Sequence, residues 1–338
     1  MKPSTAPPAR PAILEALRAR ARGEPALSFA DFMDVALYDP GAGYYRVGGA
    51  RIGYGPGTDF LTAPASSPLF GKLVVAACRR LLGPAAAASS EFVEIGADRV
   101  GGILRGIPHP FRSARQVGIG EPLRIEGPSI VFSNELFDAQ PFRRFRYRAG
   151  CWRELGVAIG GGALEEVELA PAGPMPAAFP GDPPKGYLID APLASAALAR
   201  RIAEQPWSGL FLAFDYGKSW EEIAFETPAG TARAYRSHSQ GNDLLERPGE
   251  QDLTCHVCWD WIRDALQGCG FADPRLESQE AFFTRHSGDF IAAVTASEAG
   301  RMSQEKLSLL QLLHPAHMGQ KFQALWAMRE SAPPGRPG

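Results

Sequence analysis

Three short apolar runs, each stopping abruptly at a glycine or a polar residue, constrain this chain more than any other feature. They are Glu91-Phe-Val-Glu-Ile-Gly96, Ser129-Ile-Val-Phe-Ser-Asn-Glu135 and Gly209-Leu-Phe-Leu-Ala-Phe-Asp-Tyr-Gly217. Each is rich in β-formers and apolar nearly throughout, with no alternation. That pattern belongs to strands buried on both faces, as in parallel sheets covered by helices. Segments with helical spacing flank the runs, at 68–82, 191–205 and 259–269. The expected fold is therefore α/β, a doubly wound sheet with helices on both faces. In such open sheets, ligands bind beyond the carboxyl ends of the strands. The residues that follow each run are the candidates: Gly96, then Ser133, Asn134 and Glu135, then Asp215, Tyr216 and Gly217.

Composition narrows the class. With 338 residues, 45% hydrophobic and 21% charged, the chain is long enough for one or two globular domains. A formal charge of -2 argues against a general binder of nucleic acid or anionic membrane. No apolar run approaches the ~18 residues of a membrane helix. Five cysteines in a chain of this length do not form a disulfide framework, which places the protein in the cytoplasm.

In chain order, residues 1–11 are proline-rich and expected to be a disordered lead-in. Residues 12–84 form an N-terminal helical, lid-like region. Ser28 caps a helix over 29–37, with Phe29, Phe32, Met33, Ala36 and Leu37 on one face. A turn at 38–45 leads to a glycine-rich loop, expected to be mobile, which ends near Asp59 and Thr62. Residues 85–330 form the α/β domain, with insertions at about 158–186 and 218–257. Within it a strand is expected near 111–119, and a hairpin over 142–157 turning at Ala149-Gly150. A surface excursion is expected at 160–184, an edge or hairpin strand at 231–238, and helices at 305–313 and 320–328. Residues 331–338 read as a disordered tail.

Asn134 and Glu135 leave the second run together with Asp138. Their bland role is to cap a strand-to-helix turn. Their functional role is to present polar groups to a ligand at the carboxyl end of the strand. Phe137 could stack on an adenine or a guanidinium plane. Asp215 reads equally as a substrate-side carboxylate or a turn acid, beside Tyr216. Asp59 and Thr62 are placed to close over the site, as lids with glycine hinges do. Tyr44 and Tyr45 read as packing residues. Cys255-His-Val-Cys258 is a single C-x-x-C without a second pair, so no metal site is expected. His256 is expected to bond near the substrate, close to Asp252 and Thr254.

Several motifs occur in a recognisable order: Ala36-Leu-Tyr-Asp-Pro-Gly-Ala-Gly-Tyr-Tyr45, Asp59-Phe-Leu-Thr-Ala-Pro64, Asn134-Glu-Leu-Phe-Asp-Ala-Gln-Pro141, Phe214-Asp-Tyr-Gly217, Pro248-Gly-Glu-Gln-Asp-Leu-Thr-Cys-His-Val257 and His314-Pro-Ala-His-Met-Gly-Gln-Lys-Phe322. Together, from about Phe29 to Met328, they resemble the MidA-like family of S-adenosylmethionine-dependent methyltransferases. Mitochondrial members of that family help assemble respiratory complex I by methylating an arginine of one subunit. The resemblance implies a Rossmann-like sheet of the seven-stranded type with a large lid. It implies S-adenosylmethionine as cofactor and a protein side chain, arginine above all, as substrate. Asn134, Glu135 and Asp138 then stand at the reacting centre. Glu94, Gly96, Gly101, Glu121, Phe137 and Thr62 are expected on the cofactor side. Asp59, Asp215, Tyr216 and His256 are expected on the substrate side.

Two departures stand out. Where the family reads roughly Glu-x-Gly-x-Gly-x-Gly, this chain has Glu94-Ile-Gly-Ala-Asp-Arg-Val-Gly101. Asp98 and Val100 thus replace glycines that let the backbone approach a cofactor. Only 38 positions separate Gly96 from Asn134, whereas two βαβ units need roughly 60. The acidic residue that usually ends the second strand has no counterpart, and Glu121 is the substitute. These departures motivate an alternative: a non-catalytic homologue that binds or assembles a partner protein.

Overall fold

The computed structural model describes residues 9–47, 67–97, 102–160, 163–170, 178–297 and 303–330. The chain opens with α1 (Pro11–Ala21), β1 (Ala26–Ser28) and α2 (Phe29–Tyr38), and continues with α3 (Leu69–Leu82) and α4 (Pro84–Ser89). Then come β2 (Glu91–Ile95), β3 (Ser113–Val117), β4 (Gly127–Asn134), β5 (Arg143–Arg148), β6 (Cys151–Gly160), β7 (Ala163–Glu168) and β8 (Leu188–Ala191). They are followed by α5 (Leu193–Ala203), β9 (Trp207–Asp215), β10 (Gly217–Lys218), β11 (Arg233–Arg236), β12 (Ser239–Gly241), β13 (Asp252–Thr254) and β14 (Val257–Cys258). The chain closes with α6 (Trp259–Gln267), β15 (Ala272–Ser278), α7 (Gln279–His286), α8 (Gly288–Ser297), α9 (Gln304–Leu313) and β16 (Gln323–Arg329).

The three apolar runs become β2, β4 and β9, which are neighbours in a six-stranded sheet ordered β15-β16-β9-β4-β2-β3. β3, β2, β4 and β9 run parallel, and β16 is antiparallel to both its neighbours. Side chains alternate between two covered faces, which explains why the runs are apolar nearly throughout. Phe92, Ile130, Phe132 and Phe214 meet Phe70 and Leu73 of α3 and Phe282 and Phe283 of α7. Val93, Val131, Phe211 and Ala213 meet Leu198 and Ile202 of α5 and Ile262 and Leu266 of α6. Burial at this scale, roughly 1.5–3 kcal/mol per large side chain, dominates the favourable side of folding. Gly209 is where the close approach of β9 to β4 demands glycine: its φ is +118°, and a Cβ would lie 2.3 Å from the Ser129 carbonyl oxygen.

The sheet is one strand shorter than the seven-stranded plan among the described residues. β3 returns to β4 through residues 118–126 alone, and β4 then pairs directly with β2. No helix fits in so short a crossover. Ile125, fully buried with Val93 and Val117, covers part of the face a helix would have covered.

Residues 320–328 are not a helix as periodicity suggested. They contribute to β16, whose ladder with β9 runs from Gln323↔Asp215 to Arg329↔Gly209. Ala324 packs on one face and Leu325 and Ala327 on the other. A strand inserted between β9 and β15 has both edges hydrogen-bonded, which outweighs the weak helix preference of Gln-Ala-Leu-Trp-Ala-Met.

A second, five-stranded sheet (β1-β6-β5-β8, with β7 on β6) is built from the insertion and the N-terminal region. The hairpin between β5 and β6 turns at Ala149 and Gly150, both with positive φ (52° and 78°), as a two-residue turn requires. The stretch expected as a surface excursion contains β7, paired with β6 from Leu155↔Glu168 to Gly160↔Ala163. Phe29, Phe32, Phe142 and Val157 join this sheet to α1 and α2. The N-terminal region is thus packed onto the insertion, and Tyr38 and Tyr45 at its end reach toward the carboxyl edge of the main sheet.

Candidate active site

The order β3-β2-β4-β9 reverses direction between β2 and β4, and the crevice at such a switch point is where open α/β sheets bind ligands. Gly96 closes β2 there, and the segment from Asn134 to Asp138 closes β4. Gly96 has φ +75°, and a Cβ on it would lie 2.7 Å from Leu136 Cδ1.

Glu135 takes φ +50°, the left-handed region that costs a non-glycine residue roughly 1–2 kcal/mol. The surroundings hold it there. Glu135 N donates to the Phe214 carbonyl at 2.9 Å. Phe137 N and Asp138 N both donate to Asp215 Oδ2, at 2.9 and 3.3 Å. Tyr216 N donates to Asp215 Oδ1 at 2.9 Å. Ser195 Oγ donates to the Phe137 carbonyl at 2.6 Å, and Cys255 N to the Asp138 carbonyl at 2.9 Å.

This corrects the substrate-side role of Asp215. It is fully buried, and both its oxygens are engaged by backbone N–H groups. It is a strut that fixes the loop after β4. Phe137 is corrected too. Its ring is buried in the core, 6.3 Å from Phe211, and is not presented to an adenine or a guanidinium.

The remaining carboxylates gather at one place. Burial pushes Glu135 up to about 8, helped by the negative charges of Asp138 and Asp252 and opposed by the hydrogen bond from Asn134. That bond runs from Asn134 Nδ2 to Glu135 Oε1 at 3.0 Å. Asp138 is buried and pushed up to about 6 by burial, against a hydrogen bond from Tyr216. Tyr216 Oη donates to its Oδ2. Among the described residues its Oδ1, which is buried, has no hydrogen-bond partner, and neither has Asn134 Oδ1. Asp252, also buried, accepts from Tyr45 Oη at 2.8 Å. Tyr38 Oη donates to the Ala139 carbonyl at 2.8 Å and its ring stacks on Tyr45 at 5.6 Å. Burial first and the Asp252 charge second push both phenols well above their usual range, so they remain neutral donors.

His256 sits edge-on to Tyr216, ring centres 5.6 Å apart, and its backbone N–H donates to Thr231 Oγ1 at 3.3 Å. Burial, with the positive charges of Lys218 and Arg233, pulls its imidazole down to about 4, so it is neutral at pH 7. Among the described residues no lysine or arginine forms an ion pair with Glu135 or Asp138. The result is an acceptor-rich recess with tyrosine hydroxyls along its wall, suited to a ligand that brings positive charge and N–H donors.

On the other side of the crevice, Glu94 is buried and accepts from Ile103 N at 3.0 Å, tying down the chain beyond the first strand. Gly102, at φ +77°, lies against it: a Cβ there would be 2.4 Å from Glu94 Oε2. Glu121 is exposed at the end of β3, where its Oε2 accepts from Gly118 N at 2.8 Å. Arg46 of the N-terminal region donates to the neighbouring Ile119 carbonyl at 2.8 Å. Gly101, Thr62 and Asp59 lie outside the described residues, as do Asp98 and Val100. Cys255 and Cys258 pack in different apolar clusters, and among the described residues no group of His, Cys, Asp and Glu is arranged to hold a metal.

Asn134, Glu135, Asp138, Tyr216 and His256 therefore come together. Tyr38, Tyr45 and Asp252 join them without having been singled out from the sequence. A tyrosine in an aromatic pair carries no signal that separates packing from hydroxyl chemistry, and Asp252 lay within a motif whose chemistry was assigned to His256.

Residues 119–275 match a family model described as "Putative S-adenosyl-L-methionine-dependent methyltransferase". Among curated relatives, "Protein arginine methyltransferase NDUFAF7, mitochondrial" of Mus musculus is 30% identical over 206 residues, 58% of this chain and 45% of that protein. In that alignment the chain spans less than half the length of its relative. The Danio rerio protein of the same name is 26% identical over 359 residues, 88% of this chain and 82% of that one. A Burkholderia thailandensis protein, solved bound to S-adenosyl-homocysteine, superposes with a TM-score of 0.79 at 25% identity, covering 96% of this chain and 95% of its own.

Proposed function

Because this chain belongs to the MidA-like family of S-adenosylmethionine-dependent methyltransferases, we propose that it methylates a protein side chain, with arginine as the acceptor. The observation that carries the proposal is the Glu135–Asp138 pair. Two carboxyl groups are held at the switch point, raised by burial, and among the described residues one buried oxygen of Asp138 has no hydrogen-bond partner and no cation is paired to either acid. A guanidinium is planar, permanently charged and carries five donors, so it can satisfy both acids at once. A lysine ammonium is a compact point charge and matches the pair less well.

When bound, S-adenosylmethionine supplies an electrophilic methyl group on a sulfonium sulfur. Gly96 and the turn carrying Glu121 would hold it, with Glu94 tying down Ile103 between them. The chain's own work is positional. Asp138, steadied by Tyr216, holds the guanidinium. The guanidinium charge brought beside Glu135 ionises it. The carboxylate then accepts the proton that an arginine nitrogen loses as it takes the methyl group from the sulfonium, which leaves as a neutral thioether. Asn134 and the bonds to Asp215 keep Glu135 in its left-handed conformation. Cytoplasmic location stays part of the proposal, supported by five unbridged cysteines.

Calorimetric titration with S-adenosylmethionine and S-adenosylhomocysteine tests the cofactor. Mass spectrometry of arginine peptides and their lysine counterparts, incubated with enzyme and cofactor, tests the acceptor. Micromolar binding with methylation confined to arginine is expected. Binding with lysine methylated equally well would remove the arginine assignment. No binding of either ligand at millimolar concentration would leave a protein-binding homologue instead of an enzyme.

A further inference from the structure

The main sheet stops at β3, where the usual plan adds another strand. β3 pairs with β2 on one side and, among the described residues, with no strand on the other. The Val117 carbonyl accepts from Gly96 N at 3.0 Å and so points toward β2. Alternation along the strand turns the N–H and C=O groups of Ala114 and Gln116 outward. Ser113, Ala114 and Gln116 are exposed. The crossover 118–126 does not cover this edge. Leu123 and Ile125 pack under the sheet, and the Arg115 guanidinium donates to the Arg124 carbonyl.

Beside the edge lies a depression of about 580 Å³, lined by Glu91, Arg112, Arg115, Pro122, Arg124 and Glu126. Glu91 is paired with Arg115 at 3.2 Å. Arg112 and Arg124 are exposed and form no ion pair among the described residues. Exposed strand edges are templates for pairing with another chain unless they are covered or repelled. Among the described residues this one is open in its main chain, and at its margin Arg112, Arg115 and Arg124 outnumber Glu91 and Glu126. A second copy of the chain is disfavoured, because pairing two β3 edges would set arginines against arginines.

We propose that β3 is a docking edge for an extended, acidic segment of a partner protein. The segment adds as a further strand along Ala114–Gln116, with carboxylates on Arg112 and Arg124. This interface is separate from the acidic recess and stands whatever that recess binds.

The test uses the full chain and two fluorescein-labelled probes, an alternating Glu-Val octapeptide and an alternating Lys-Val octapeptide, titrated by anisotropy. Amide exchange across 113–117 is followed in parallel. The acidic peptide should bind at least about tenfold tighter than the basic one, as charge complementarity requires. Exchange at Ala114 and Gln116 should slow on binding. The double substitution Arg112→Glu/Arg124→Glu should weaken binding by about tenfold or more. Ala114→Pro, which removes only an outward N–H, should also abolish it. Equal binding of the two peptides would overturn the proposal. So would acidic binding that leaves exchange at 114 and 116 unchanged, or a concentration-dependent dimer that protects those amides without peptide.

Discussion

Replacing Glu135 by glutamine should stabilise the protein while abolishing its activity. The Glu135 carboxyl is raised from its ordinary 4.5 to about 8, chiefly by burial. A carboxyl raised in this way binds more protons in the folded than in the unfolded chain between those two values. Stability therefore falls as pH rises through that window. At about 1.4 kcal/mol per pH unit, the penalty at pH 7 would reach about 3 kcal/mol. Glu135 is only half-buried, and solvent screening trims this to roughly 1–2 kcal/mol. Glutamine keeps the acceptor that Asn134 Nδ2 uses at 3.0 Å and removes the charge. Melting temperatures of wild type and Glu135→Gln are to be compared from about pH 4 to 9. The difference should be near zero at the acid end, grow through the window in favour of the variant, and level off above about pH 8 at roughly 2–5 °C. Methyl transfer should be lost at every pH. A variant less stable throughout, or a difference that does not change with pH, would refute the buried-acid account. Wild-type turnover in the variant would remove Glu135 from the chemistry.

Two further outcomes follow from the same geometry. Asp215→Asn leaves one acceptor where both carboxylate oxygens now serve backbone N–H groups. It should cost roughly 1–3 kcal/mol in denaturant unfolding and lower kcat/KM for methyl transfer, while calorimetry finds S-adenosylhomocysteine affinity little changed. A loss confined to cofactor affinity would contradict the strut role. Gly209→Ala puts a Cβ 2.3 Å from the Ser129 carbonyl in a backbone conformation that alanine avoids. It should destabilise by about 3 kcal/mol or more, and an unchanged urea midpoint would show that β9 and β4 can separate without penalty.

The paired acids also account for the shape of the N-terminal region. Tyr38 and Tyr45 lie on a segment packed to the inserted sheet through Phe29, Phe32 and Phe142. That packing delivers two neutral hydroxyl donors to a place that otherwise collects negative charge. Tyr38 and Tyr45 are thus part of the recess wall.

The sequence alone determined the strands of the parallel core. The middles of β2, β4 and β9 are buried on both faces, so their residues there are apolar with little alternation, and that is visible without coordinates. The same runs marked their own ends, which located Asn134, Glu135 and Asp138. The shortage of residues between Gly96 and Asn134 likewise announced a missing strand, because chain length bounds what a crossover can contain. Tertiary structure decided the rest. Gln323–Arg329 became a strand because two partner edges were waiting for it, which local periodicity does not encode. Asp215 became a strut, and Phe137 a core residue, because their neighbours come from about 77 and 74 positions away in the chain. Tyr45 and Asp252 met across 207 positions, a contact set only by how the N-terminal region folds back over the sheet.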